Sequence, residues 1–240
     1  MTTLTTDRTS TYEWQAAISD WEPLHEMDGI SYLRSILDGK HIVPPMAQTM
    51  NMHLTEVDEG YAVYSLEPEE YHYNPIGSVH GGVTATICDS ALSSAIISKL
   101  PAGQICTTVE LHVHYLRAIT IDTGRIRCEA HAIHVGRTLS TAEAKLIGEQ
   151  DGKVYAHATI TCVVMPARKG AINLPDTSDT RTFHWFDPMA SAKPAMKMRG
   201  MDYMNGIANA EIPFPPIGAL LGMTGVSEVQ MGKVRFGGRV

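Results

Sequence analysis

Cysteine is scarce in this sequence, and the charge balance shows no basic excess. Four cysteines occur in 240 residues, none of them in CxxC spacing: Cys88, Cys106, Cys128 and Cys162. We therefore expect free, buried thiols in a reduced cytoplasmic compartment. The formal net charge of −7 gives no electrostatic reason to expect nucleic acid or an anionic membrane as a partner. A small molecule or another protein is the favoured partner.

Long apolar segments and several common catalytic motifs are also absent. No uninterrupted apolar segment reaches the roughly 18 residues of a membrane-spanning helix. The polar start "MTTLTTDRTS" contains no apolar core of a signal peptide, so we expect a soluble protein. The motifs GxSxG, HExxH, Walker A and GxGxxG do not occur, so the sequence does not predict a serine-hydrolase elbow or a phosphate-binding loop.

The hydrophobic pattern that is present predicts an α+β domain. Short helical segments and a hairpin around Asp58-Glu59-Gly60 precede one long helical pattern over residues 80–99, and four strand-like segments follow it. When a single long helix lies between the strands of an antiparallel sheet in the sequence, it must pack on one face of that sheet. We predict four regions: an arm and helix at 1–41, the domain at 42–165, a linker at 166–197, and the start of a repeat at 198–240.

The prediction of a repeat rests on an ungapped match between residues 27–52 and 198–223. Identical residues at matching positions are Gly29/Gly200, Tyr32/Tyr203, Ile36/Ile207, Pro44/Pro215, Pro45/Pro216 and Met52/Met223. The match indicates a duplicated domain rather than chance similarity of two amphipathic helices. The second copy stops before any second His-Gly-Gly or long helix.

The segment "NPIGSVHGGVTATICDSA" at residues 74–91 carries the candidate chemistry. Unpaired backbone N–H groups at a helix start favour negative charge, and a glycine there lets a carbonyl approach the main chain. Gly81 could thus stabilise the charge that develops in acyl transfer, while Asp89 could act as a general base or a nucleophile. Because eight helical residues rise about 12 Å, the two groups cannot meet at one carbonyl unless two copies of the domain supply them.

These residues resemble those of a known family. The run Asn74-Pro75, Gly77, His80-Gly81-Gly82 and Asp89 is similar to the hotdog-fold acyl-CoA thioesterases of the phenylacetate-pathway type, over roughly residues 42–165. The resemblance implies a long helix wrapped by an antiparallel sheet, with active sites at a dimer interface. It also implies hydrolysis of an acyl-CoA with no metal or cofactor, by a homodimer or a dimer of dimers.

The resemblance further implies roles for individual residues. Asp89 would be the base or nucleophile, and the Gly81 N–H would polarise the thioester carbonyl. His80 and Asn74 would orient the thioester or the attacking water. A hydroxyl beside the aspartate would place that water, and it belongs to Thr108 or, alternatively, to Thr107. Contacts to the substrate and its coenzyme A portion would come from Gly82, Gly136 and Arg137.

Two alternatives to this function and three lesser features remain open. The alternatives are a non-catalytic acyl-CoA-binding module and a hotdog hydratase. Glu110, His112 and His114 alternate onto one strand face, which favours a polar surface over a metal site. His131 and His134 have odd-even spacing and should therefore lie on opposite faces of their strand. The aromatic segment "RTFHWF" at 181–186 is expected to dock onto the domain.

Overall fold

The computed structural model describes residues 8–14, 22–41, 43–167 and 179–238. The helices are α1 Glu22–Glu26, α2 Gly29–Leu37, α3 Pro45–Thr49, α4 Gly81–Ile97, α5 Pro188–Ala195, α6 Gly200–Ala208 and α7 Pro216–Leu220. The strands are β1 Arg8–Trp14, β2 Met52–Asp58, β3 Tyr61–Leu66, β4 Gln104–Tyr115, β5 Ile126–Val135, β6 Leu139–Gly148, β7 Val154–Pro166, β8 Asp179–Trp185, β9 Met223–Gln230 and β10 Lys233–Gly238.

A six-stranded antiparallel sheet wraps around α4, as the sequence predicts. Its strand order is β2-β3-β5-β6-β7-β4, so β2 and β4 form the two edges. The helix packs against β3, β4, β5 and β6. The expected α+β class with one central helix is confirmed. In the described part of the chain, no helix is long and apolar enough to cross a membrane.

Small side chains allow this close approach of helix and sheet. Ile87, Ala91, Leu92 and Ala95 on α4 are fully buried. They face a sheet surface that is rich in buried alanines, at positions Ala130, Ala142, Ala144, Ala156 and Ala158. Alanine on both sides leaves little room for rearrangement, because a core packed at crystal density responds to even one added methylene.

The turns agree with the sequence prediction, but one strand does not. The β2–β3 and β6–β7 hairpins contain Gly60 and Gly152 with positive φ values of 74° and 67°. Within β5, however, a bulge lies between Ala132 and His134. It sets His131 opposite Glu143 and His134 opposite Thr141, so both histidines share one exposed face. The expectation of opposite faces is wrong, because a bulge adds one residue and resets the alternation.

Within the regions predicted as an arm and a linker, β1, β8 and α5 form regular secondary structure. β1 and β8 form a two-stranded antiparallel sheet, and α5 follows β8. Phe183 and Trp185 on β8 are buried against Tyr71, so the predicted docking of this aromatic segment is confirmed. The amino-acid composition does not predict these strands and this helix, because they are stabilised by packing against distant parts of the chain. The rest of the predicted arm and linker, at 1–7, 15–21 and 168–178, lies outside the described residues, and the domain boundaries stay a prediction.

The C-terminal region repeats the order of elements found at residues 29–66. Helix, short helix and hairpin recur as α6, α7, β9 and β10. Positive φ values recur at matching positions, at Gly39 and Ala210 and again at Asn51 and Gly222. The Ile217 N–H donates to the Tyr73 carbonyl at 3.1 Å, and Ile217 joins the main core. These observations support the predicted repeat.

Gly29 and Gly200 occupy matching positions in very different surroundings. The Gly29 N–H donates to the Leu100 carbonyl at 2.9 Å, and a Cβ on Gly29 would lie 1.7 Å from the Ile97 carbonyl oxygen. The start of α2 is therefore seated directly on the end of α4. At Gly200, no heavy atom of the described chain lies within 4 Å of the same position. Only the first glycine is required by packing.

We expect Gly29→Ala to destabilise the protein and Gly200→Ala to serve as its matched control. Gly29→Ala forces the backbones apart and should lower the free energy of unfolding by about 1–3 kcal/mol. Gly200→Ala meets open space at a helix start and should change it by less than about 1 kcal/mol. Urea denaturation of both variants measures the difference. Equal losses for both variants would contradict the assigned contact.

Candidate active site

The start of α4 is built around His80 and leaves the Gly81 N–H free. The His80 N–H donates to the His72 carbonyl at 2.8 Å, and the His80 Nδ1 accepts from the Gly82 N–H at 2.9 Å. Burial lowers the pKa of His80, and the acceptor role of Nδ1 places the ring proton on Nε2. Within the part of the chain that the structure describes, the Gly81 N–H donates to no acceptor. It is a donor available to a ligand.

A second histidine supports this helix start and was not predicted from the sequence. His72 is fully buried, and its Nδ1 accepts from the Glu69 N–H at 3.1 Å. Burial lowers its pKa to about 4, so the imidazole is neutral near pH 7. Its carbonyl then fixes the His80 backbone. Nothing in the local sequence distinguishes this histidine from an exposed one.

Asn74 shapes the loop that leads into α4. Its Oδ1 accepts from the Ile76 N–H at 2.9 Å and the Ser78 N–H at 3.3 Å. Its Nδ2 donates to the Ser78 hydroxyl oxygen at 3.0 Å. The side chain therefore holds the turn before His80, and Asn74 lines the same cleft as Gly81. A substrate bound in this cleft would therefore lie close to Asn74.

Tyr115, at the end of β4, covers one side of Gly81. Its hydroxyl donates to the Gly81 carbonyl at 3.0 Å, and a Cβ on Gly81 would lie 3.3 Å from the tyrosine ring. The two residues belong to a cleft of about 360 Å³. Tyr115 was missed by the sequence reasoning, because its position depends on how β4 crosses α4.

Asp89 lies farther along α4, beside a different part of β4. The Thr108 hydroxyl donates to Asp89 Oδ1 at 2.8 Å, whereas Thr107 is exposed. Of the two threonines left open by the sequence, Thr108 is thus the one that contacts the carboxylate. A bulge between Thr108 and Glu110 follows immediately. Bulges of this kind commonly redirect a side chain beside a site.

Two cysteines near Asp89 are poor candidates for a nucleophile. Cys106 is half-buried, and Cys162 is fully buried opposite Thr108 in the sheet. A hydrogen bond with Cys162, together with burial, raises the pKa of the Cys106 thiol. The Asp89 carboxylate also disfavours a second negative charge here. The same hydrogen bond lowers the pKa of the Cys162 thiol, but that thiol is fully buried, so the carboxylate is the better candidate for chemistry.

The remaining candidate residues lie on the surface. Gly82 is exposed beside His80. Gly136 and Arg137 form the turn between β5 and β6, where the Gly136 N–H donates to the Leu139 carbonyl at 3.1 Å. Ser140 pairs with Cys162, which pairs with Thr108, so this turn belongs to the Asp89 end of the sheet. Within one chain, the turn makes no hydrogen bond to Gly81 or Gly82 among the described residues.

The histidines of β4 lie on an exposed face. His112 Nε2 and Glu110 Oε1 are 2.9 Å apart, and both side chains are exposed, as is His114. Across residues 8–14, 22–41, 43–167 and 179–238, no group of three His, Cys, Asp or Glu side chains is close enough to hold a metal ion. The geometry here fits a polar sheet surface.

Comparisons with known proteins identify the family. A protein-family model described as "Thioesterase superfamily" matches residues 76–155, which include His80, Asp89 and Thr108. A 1,4-dihydroxy-2-naphthoyl-CoA hydrolase of Listeria monocytogenes is 27% identical, over 52% of this chain and 98% of that protein. Acyl-coenzyme A thioesterase 13 of Mus musculus is 30% identical, over 41% of this chain and 69% of that protein.

A solved structure agrees with these relatives. A phenylacetic acid degradation-related protein from Ralstonia eutropha JMP134 is 29% identical, with a TM-score of 0.50, over 55% of this chain and 98% of that one. The family model covers α4, β4, β5 and β6, and the hotdog fold expected from the sequence is confirmed. The chain belongs to the thioesterase superfamily.

Proposed function

We propose that this protein hydrolyses an acyl-CoA thioester to a carboxylic acid and free coenzyme A. One observation carries the proposal: a single helix presents an unoccupied N–H at Gly81 and, two turns later, a carboxylate held by Thr108. The first group suits a developing oxyanion, and the second suits the activation of water. Water is the second substrate, so no metal or cofactor is required.

The chemistry follows from the two groups. The Thr108 hydroxyl occupies one lone pair of Asp89 and leaves carboxylate oxygen available for a water molecule or for the thioester carbon. Attack on the carbonyl places negative charge on its oxygen, which the Gly81 N–H and the positive end of α4 stabilise. When water attacks, Asp89 takes its proton, and collapse of the tetrahedral intermediate breaks the carbon–sulfur bond and releases coenzyme A as a thiolate that takes up this proton. When Asp89 itself attacks, the same collapse leaves a mixed anhydride, which water then hydrolyses to the carboxylic acid and free Asp89.

A complete site requires two copies of the domain. Gly81 and Asp89 are separated by about 12 Å along α4, too far to act on one carbonyl. The outer edge of β4 pairs with no strand among the described residues, and Val109, Tyr115 and Leu116 along or beside it are exposed. An unpaired edge of this length is a surface for strand pairing.

The contacts of β4 suggest how two copies meet. Thr108 touches Asp89 and Tyr115 touches Gly81. If two β4 edges pair antiparallel about a two-fold axis between Leu111 and His112, Thr108 lies opposite Tyr115 of the second copy. Asp89 of one copy then approaches Gly81 of the other. We propose a homodimer, or a dimer of dimers, with two such sites in each pair.

Other residues serve this site. His80 offers its Nε2 proton near the carbonyl, and Asn74 orients the reactants by holding the loop before α4. The exposed Gly82 and Arg137 and the half-buried Gly136 provide contacts to the substrate and its coenzyme A portion, with the Arg137 guanidinium suited to phosphate.

The test of the function is thiol release from a panel of acyl-CoAs, with Asp89→Asn beside the wild type. Loss of the base or nucleophile should lower kcat by at least about 100-fold. Asp122→Asn, an exposed carboxylate in a loop, is the control and should keep full activity. Full activity of Asp89→Asn would refute the mechanism. Tight binding of acyl-CoA by a wild type that releases no thiol would instead indicate a binding module.

A matched pair of threonine variants tests the contact to Asp89. Thr108→Val removes a hydrogen bond to a charged group, worth about 1.5–3 kcal/mol, and should reduce kcat roughly 10- to 100-fold with little change in KM. Thr107→Val alters the exposed neighbour and should retain kcat within about twofold. A larger loss in Thr107→Val than in Thr108→Val would contradict this placement.

A further inference from the structure

A cavity of about 410 Å³ lies in the seam between the two edges of the sheet. Helices α2 and α3 cover the seam, with Ile36 and Met46 in its outer wall. Met52 on β2 and Ile105 on β4 line its two sides. The cavity therefore exists because β2 and β4 do not meet, and because α2 bridges the gap above α4.

The cavity begins beside Asp89. Ser90, the next residue on α4, lines it, and so does Cys106, which lies two positions before Thr108 on β4. The Cys106 sulfur is 3.9 Å from the Ser93 carbonyl oxygen, which fixes β4 against α4 at this point. A thioester carbon placed at Asp89 would therefore lie next to two residues that line this cavity, Ser90 and Cys106.

Among the described residues, the walls present hydroxyl, amide and imidazole groups but no carboxylate, ammonium or guanidinium group to pair with a charged acyl group. None of the described residues that line the cavity is Asp, Glu, Lys or Arg. At its inner wall, the Tyr64 hydroxyl and the Ser94 hydroxyl share a hydrogen bond of 3.2 Å. His53 lies at the exposed side, within 3.1 Å of the Asn51 side chain. A buried carboxylate without a partner is strongly disfavoured, so a carboxylated acyl group does not fit.

The size of the cavity argues for a bulky acyl group. A cavity of roughly 150 Å³ already holds a benzene molecule, and ligand pockets start at about 300 Å³. An acetyl group would leave most of 410 Å³ unfilled. Each apolar methylene that enters the cavity gains affinity by about fourfold.

We infer that this cavity is the acyl-binding subsite, and that it selects uncharged apolar acyl groups of about six or more carbons, straight-chain or aromatic. The inference rests on the proposed thioesterase function and adds its substrate class. It also assigns a specificity role to α2 and α3, which lie before the hairpin and outside the region matched by the thioesterase family model.

The experiment compares two isoleucine-to-tryptophan variants. Ile36→Trp places an indole in the cavity, whereas Ile133→Trp makes the same change at a residue of β5 that is 63% exposed. The substrates are acetyl-, hexanoyl-, benzoyl- and succinyl-CoA. The wild type should prefer hexanoyl- and benzoyl-CoA to the other two. Ile36→Trp should lower kcat/KM for these two by about tenfold relative to acetyl-CoA, and Ile133→Trp should leave all ratios unchanged.

Two outcomes separate this inference from the proposed function. If the wild type hydrolyses these substrates and Ile36→Trp lowers all of them equally, or if succinyl-CoA is preferred, the subsite is wrong while the thioesterase function stands. If no thioester is hydrolysed, calorimetry with the thioether S-hexyl-CoA decides. If S-hexyl-CoA binds the wild type more tightly than free coenzyme A does, and Ile36→Trp removes this difference, the subsite is supported. If S-hexyl-CoA and free coenzyme A bind the wild type equally, the subsite is wrong.

A second cavity variant guards against misfolding. Met46 on α3 lines the same cavity and is 49% exposed, so Met46→Trp perturbs the core less than Ile36→Trp does. It should change the chain-length preference in the same direction. If Met46→Trp and Ile36→Trp both fold and both keep the wild-type preference among the acyl-CoA substrates, the inference is wrong.

Discussion

The fixed rise of an α-helix is the constraint on which the rest of this structure depends. It separates the free Gly81 N–H from the Asp89 carboxylate by about 12 Å, and no rotation of side chains can close that distance. A helix buried on one side by a sheet cannot bend to bring them together. In the proposed mechanism each chain therefore contributes half of a site, and a complete site is formed by two chains.

The strand β4 connects the half-sites to the substrate. It runs along α4 and contacts it at Tyr115–Gly81, Thr108–Asp89 and Cys106–Ser93. Because β4 is also an edge strand, the same element contacts the proposed catalytic groups, offers an edge for the proposed dimer and lines one side of the cavity. The outer wall of the cavity depends on α2, whose position is fixed by the contact of Gly29 with the end of α4. Packing far from Asp89 thus shapes what Asp89 can act upon.

Much of this arrangement was predictable from the sequence, because it is encoded locally. The spacing of His80, Gly81 and Asp89 predicted the helix, its start and the separation of the two groups. Other features depend on tertiary structure. The choice between Thr107 and Thr108 rests on the loop from Ile97 to Gln104, whose conformation sets which face of β4 meets α4. The role of Tyr115 and the burial of His72 likewise have no local signal.

Two errors have clear physical origins. Alternation along β5 put His131 and His134 on opposite faces, but a bulge, which has no reliable sequence mark, brought them to the same one. The polar composition of the predicted linker hid β8, which is stabilised by pairing with β1 from the other end of the chain and by burial of Phe183 and Trp185. Pairing between distant segments is the information that a local pattern lacks.

The central claim, that each site combines Gly81 of one copy with Asp89 of another, is tested most directly by mixing inactive subunits. Gly81→Pro removes the N–H at a first helical position, where proline is tolerated, after an extended His80 with ψ of 137°. Co-refolding it with Asp89→Asn creates mixed dimers that each contain one intact site. The account predicts recovery of about a quarter of wild-type activity from two variants that are each inactive alone. No recovery in verified mixed dimers would contradict it.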